Sequence, residues 1–145
     1  MSRYTSRGIV YTLVIAKAAL ADLTAIEQED PDTANDLLVL LQEIKNSQVL
    51  LDSLTVRDFG AEATERFHVD AWAAQQTQGR NIWRLKSWDL ENRGIRYRVI
   101  YALDPRISRY FVLAILPRDF DYDPRHPRVV ELLRSYDRLG IPAYR

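Results

Sequence analysis

The chain has 145 residues, 47% of them hydrophobic, which is enough for one domain with its own core and too little for two ordinary ones. It holds no cysteine and only 2 histidines, so a disulfide framework, a thiolate metal site and a cysteine nucleophile are excluded, and a zinc cage is very hard to build. The 20 Lys+Arg and 20 Asp+Glu cancel overall but not locally: residues 1–80 carry 7 against 12, a balance of −5, and residues 81–145 carry 13 against 8, a balance of +5. Twelve of those 13 cations are Arg, the side chain best shaped for forked contacts to phosphate, so an arginine-rich face suited to a polyanion is expected.

The N-terminus comes first in chain order. Arg3 and Arg7, the apolar run 9–16 and the tripeptide Ala19-Leu20-Ala21 imitate a secretory signal. Tyr11 and Thr12 interrupt the run, however, and Lys17 closes it, so a strand followed by a helix is the expectation. No stretch approaches the ~18 apolar residues of a membrane span. The cytoplasm is the default location. Ile9, Tyr11, Leu13 and Ile15 alternate with Val10, Thr12 and Val14, a β-branched run that reads as a strand buried on both faces.

From about Lys17 the period changes, and Leu20, Leu23 and Ile26 mark a first helix that stops before Asp30-Pro31. Asp30 as cap and Pro31 at the first helical position then open a second helix. Its stripe of Leu37, Leu40, Leu41, Ile44, Gln48 and Leu51 carries it to about Ser53, giving an antiparallel helical hairpin. Residues 55–80 are the least legible; Asp70 can cap a short helix over 71–78, anchored by Trp72 and ended by Gly79. After Gly79 the period is 2, and residues 81–90, 96–103 and 109–116 read as a three-strand meander. A last helix is expected from Asp123, with Pro124 at its first position, a stripe of Val129, Leu133, Tyr136 and Leu139, and Gly140 as stop. The order β-α-α-(α)-β-β-β-α makes a single α+β domain whose antiparallel sheet carries its helices mostly on one face.

Parity within the strands places the cations. Arg84 and Lys86 share one face of their strand while Trp83 and Leu85 take the other; Arg96 and Arg98 oppose Tyr97, Val99 and Tyr101 in the same way. With the aromatic and aliphatic set under the helices, Arg84, Lys86, Arg96 and Arg98 line the open face. Charges there require an anion or an acidic partner, for which Asp89, Asp119 and Asp121 are the candidates. Beyond the last strand, Arg118, Asp119, Asp121, Tyr122, Asp123 and His126 fall within nine residues, at a strand-to-helix corner where rigid elements can position a site. Asp119, Asp121 and Asp123 resemble the start of a calcium loop, but Pro124 and Val130 stand where Gly and Glu are required, so no metal is expected. His126 is a candidate proton carrier. His68 has no legible partner and reads as structural.

These elements and residues resemble the RelE/ParE superfamily of toxins from bacterial type II toxin–antitoxin pairs. The resemblance is strongest over residues 81–139 and extends over 9–53, with Trp83-Arg84-Leu85-Lys86, Tyr97-Arg98-Val99-Ile100-Tyr101 and Leu116-Pro117-Arg118 as its sharpest pieces. It implies a RelE-like β-α-α-β-β-β core, often followed by a C-terminal helix, with residues 55–80 as an insertion. For function, it implies metal-independent cleavage of mRNA on the ribosome, no cofactor, and neutralisation by a cognate antitoxin. Lys86, Arg98, Arg118, Tyr122 and His126 are then the catalytic candidates, and Arg84, Lys86, Arg96 and Arg98 the RNA-binding ones. Arg84 stands where many relatives carry lysine. A ParE-like inhibitor of DNA gyrase and a catalytically silent interaction domain are the alternatives the same resemblance allows.

Overall fold

The computed structural model describes residues 8–118 and 123–145. The Asp30-Pro31 dipeptide acts as its chemistry dictates: Asp30 ends helix α1 (Lys17–Glu29) and caps α2 (Pro31–Lys45), its Oδ1 accepting the Thr33 N–H at 3.2 Å. The second helix is shorter than its periodicity predicts. It stops at Lys45, and Ser47, whose hydroxyl accepts the Leu50 N–H, restarts the chain as α3 (Gln48–Ser53). The apolar stripe survives the break because Leu51 falls into the same core as Leu40, Leu41 and Ile44.

Among the described residues the strands form one five-stranded sheet, ordered β1-β5-β4-β3-β2. They are β1 (Thr12–Ile15), β2 (Phe67–Ala71), β3 (Ile82–Ser87), β4 (Tyr97–Asp104) and β5 (Arg109–Pro117). The expected antiparallel sheet is corrected to a mixed one: β2 to β5 form an antiparallel meander, but β1 lies parallel to β5 at the far edge. That position also overturns the expectation of a β1 buried on both faces. Leu13 is fully covered, whereas Val10 and Val14 are 44% and 37% exposed. Beside β1, the Gln48 side chain bonds both backbone groups of Tyr11 and so occupies part of the open edge.

Residues 55–80, expected to hold a short helix, contribute β2 as a second edge strand, followed by the single turn α4 (Ala73–Gln76). Phe67, Val69 and Ala71 alternate inward, with His68 and Asp70 outward. The strand expected over 81–90 ends at Ser87, which caps a further helix, α5 (Trp88–Asn92). The last helix, α6 (Pro127–Arg138), begins later than Asp123. Asp123 is occupied by Arg125, which donates to it from its backbone N–H and side chain, so His126 and Pro127 serve as cap and first residue instead.

The helices cover both faces of the sheet, not chiefly one. Helices α1 to α3 pack on the face formed by Trp83, Leu85, Val99, Tyr101 and Tyr110. On the other face, Val129, Leu132 and Tyr136 of α6 pack against Ile82, Ile100, Ala102, Leu113 and Leu116. Two contacts hold α6 in place: Asn81 donates its N–H to the Tyr136 hydroxyl at 2.8 Å, and Arg128 reaches Asp22 of α1 at 2.7 Å. Asp22 also accepts the Ile115 N–H at 2.9 Å, beside a bulge at Leu113 that shifts the β4–β5 register. Among the described residues no helix is long and apolar enough to cross a membrane.

The loop before β2 is fixed by close approach. Gly60 has φ +73, and a Cβ there would sit 1.9 Å from the Phe67 carbonyl oxygen. Gly94 also has positive φ, +78, but opens onto free space. Gly60→Ala should therefore cost more than about 2 kcal/mol, through strain plus backbone collision, and Gly94→Ala only about 1 kcal/mol, from the left-handed conformation alone. Urea unfolding of the two variants with unchanged m-values checks the ranking; equal losses would contradict it.

Candidate anion-binding site

Because α6 covers only one part of its face, the side chains further along the same rows stay open. Continuing the row of Ile82 on β3 come Arg84 and Lys86; continuing the row of Ile100 on β4 comes Arg98; beyond Leu116 on β5 comes Arg118. Opposite β3, the register of β2 sets His68 against Lys86 and Asp70 against Arg84. Together Arg84, Lys86, Arg98, Arg118, His68 and Asp70 line a pocket of about 250 Å³. The parity argument thus places three of the predicted cations on one open surface, and the strand-to-helix corner adds a fourth.

The charges are only partly compensated, and not by the acids the sequence pointed to. Arg98 donates to Glu91 of α5 at 3.0 Å, and both side chains are well buried, at 14% and 10% exposed. Arg84 bonds Asp70 at 3.2 Å. Asp89 pairs with Arg93 instead, and Asp119 and Asp121 lie outside the described residues. Among the described residues Lys86 and Arg118 have no carboxylate within ion-pair distance. Four cations against two carboxylates leave the pocket short of negative charge.

Lys86 registers this deficit. Burial, then the neighbouring Arg98 and Arg118 guanidinium groups, hold its ammonium below the usual lysine pKa, with Glu91 and Asp70 only partly offsetting them. Its Nζ lies 4.6 Å from the centre of the Trp88 ring, a cation–π contact that stabilises the charge without satisfying its hydrogen-bonding capacity. Any bound anion would restore what the protein withholds.

The remaining predicted residues separate. Arg96 lines an adjoining pocket of about 460 Å³ with Gly94, Tyr97, Pro117 and Arg118, and its carbonyl accepts the Arg118 N–H at 2.9 Å. Arg118 therefore borders both cavities. Tyr122 lies outside the described residues. His126 caps α6, its Nδ1 accepting the Arg128 N–H at 3.1 Å, and does not line the cationic pocket.

Sequence reasoning missed His68, Asp70 and Glu91 as parts of the site, whereas strand parity set Trp88 on the side of Arg84 and Lys86. The alternation Phe67-His68-Val69-Asp70-Ala71 was a usable strand signal, and Ser87 with Asp89 and Gly94 carried a helix start and stop. No family model, curated protein or solved structure matches the chain.

Since the folded state lowers the Lys86 pKa, the unfolded chain binds the proton more readily between that lowered value and the ordinary 10.5. Lys86 therefore disfavours folding at neutral pH, and its contribution to stability rises as pH climbs through this window. Lys86→Met should leave the protein at least as stable at pH 7, abolish this part of the rise above it, and weaken binding of inorganic phosphate. Thermal melts at pH 7 and pH 10 with a phosphate titration test this; a variant that is less stable at pH 7 would contradict it.

Proposed function

We propose that the chain is a RelE-like toxin of a type II toxin–antitoxin pair, a cytoplasmic, metal-independent endoribonuclease that cleaves mRNA on the ribosome. The observation that carries the reading is the convergence of Arg84, Lys86, Arg98 and Arg118 on one open pocket, with Lys86 destabilised as a cation. Such a pocket suits a phosphodiester whose charge grows in the transition state, where fixed guanidinium groups and an ammonium act most strongly. In this reaction the ribose 2′-oxygen attacks the adjacent phosphorus and the bond to the 5′-oxygen breaks, leaving a 2′,3′-cyclic phosphate and a 5′-hydroxyl. Arg84, Arg98 and Arg118 orient the phosphate. Lys86, held below the usual lysine pKa by burial and its guanidinium neighbours, donates the proton to the departing 5′-oxygen.

The element order, with a helical hairpin after the first strand and an antiparallel β3-β4-β5 meander, is consistent with the RelE-like core. The place of β1 at one edge of the sheet supports an antitoxin partner, since an open strand edge favours pairing with another chain. Two observations favour a gyrase inhibitor or a silent interaction domain: overall net charge is zero, and two of the four pocket cations are already paired.

Induced expression should arrest growth and yield mRNA ends at discrete codon positions. Arrest with intact mRNA, DNA double-strand breaks and an SOS response would assign the gyrase reading, and no effect would assign the silent one. In RNA binding, Arg118→Gln should weaken affinity and reduce the log–log salt slope by about one unit, because the Arg118 side chain is exposed and has no carboxylate within ion-pair distance among the described residues. An unchanged slope would remove Arg118 from the phosphate site.

A further inference from the structure

Cleavage by this chemistry needs a proton acceptor for the attacking 2′-hydroxyl as well as a donor for the leaving oxygen. We propose that His68 is that acceptor, seated by Asp58; the assignment rests on the nuclease reading above. His68 lines the cationic pocket and is the direct cross-strand neighbour of Lys86. Its Nε2 is buried without a hydrogen-bond partner, and the nearest opposite charge is Asp58 Oδ1 at 3.6 Å. At 3.6 Å the carboxylate is too far for a hydrogen bond, but it lies on the Nε2 side of the ring, where a closure of a few tenths of an ångström would orient the imidazole as a base.

The surroundings are built to hold it. The His68 ring stacks on Trp88 with planes 3° apart and centroids 5.9 Å apart, and Lys86 lies over the same indole, so one platform positions both proton-transfer groups. Trp88 is itself held by donating its Nε1–H to the Gly60 carbonyl at 2.7 Å. Two residues before Gly60, Asp58 takes φ +64, and its N–H donates to the Val69 carbonyl at 3.0 Å. Val69 in turn donates its N–H to Phe59 at 2.9 Å, so the loop is strapped to the outer edge of β2 and brings the carboxylate to the imidazole.

The charged groups around His68 are Asp58 on the loop, Lys86 and Arg84 on β3, Asp70 on its own strand, Arg98 on β4 and Arg118 after β5. In the proposed step His68 accepts the 2′-hydroxyl proton as the O2′–P bond forms. Lys86 supplies a proton to the 5′-oxygen as the P–O5′ bond breaks, and solvent then resets both groups. Asp58 is a positioning residue that acts through His68.

Two measurements test this. NMR titration of the His68 ring protons with and without inorganic phosphate should show the imidazolium favoured by bound phosphate, the midpoint rising by about one pH unit, while His126 is unmoved. In single-turnover RNA cleavage, His68→Gln should fall by roughly 10²-fold with little change in RNA affinity and lose the acidic limb of the pH profile. Asp58→Asn, at an exposed position, should lower the single-turnover rate with little change in RNA affinity if the carboxylate positions the imidazole. Parental rate and profile in His68→Gln, or no phosphate effect on His68, overturns the assignment. A parent that cleaves no RNA but shows the phosphate effect overturns the nuclease reading and keeps His68 as the imidazole facing the bound anion.

Discussion

The docking of α6 across part of one sheet face decides which side chains the rest of the protein leaves in contact with water. Val129, Leu132 and Tyr136 bury the stretch around Ile82, Ile100 and Ala102, and the bulge at Leu113 turns an additional apolar side chain towards them. The helix is fixed in angle by Tyr136 against Asn81 and by Arg128 against Asp22. Strand periodicity then does the remainder. Rows that begin as core under α6 continue past its edge as Arg84, Lys86 and Arg98, in an orientation their own strands impose. Core packing and the cationic pocket are two ends of the same alternation.

Much of this was legible because period-2 and period-3.6 patterns are strong in long segments. The α1–α2 hairpin, β4, β5 and the segregation of Trp83 and Leu85 from Arg84 and Lys86 all follow from it. Competition between equally good local signals explains several misses. Asp123-Pro124 and His126-Pro127 are both credible helix starts, and Arg125 decided between them by occupying Asp123. At Trp88, a strand-like aromatic was overridden by the Ser87 cap. Residues 67–71 were missed because a five-residue strand with Trp72 and Ala73 following has too few positions to separate its pattern from a capped helix. The parallel β1–β5 contact has no local signal at all, being a consequence of where the chain returns after the helices.

The acids that meet the pocket come from the segments that were hardest to read. Glu91 belongs to the single-turn α5, Asp70 to the edge strand and Asp58 to a loop with positive φ. A largely covered pair such as Arg98–Glu91 holds its partners in place, since removing one strands a partly desolvated charge. Arg98 is consequently both a pocket wall and a structural element, whereas Arg118, exposed at the end of β5, is spared that second duty.

This division of labour gives the edge strand β2 its significance. A meander of β3, β4 and β5 alone would present cations with open water on the β3 side. Adding β2 closes that side with His68 and Asp70 in direct register with Lys86 and Arg84, and its outer edge holds the loop that carries Asp58 and locks Trp88. The five residues of β2 thereby turn a charged surface into a walled pocket in which an ammonium and an imidazole share one aromatic platform. An edge strand is the element best able to do this, because a central strand would have both its edges occupied by neighbours and could not receive the loop.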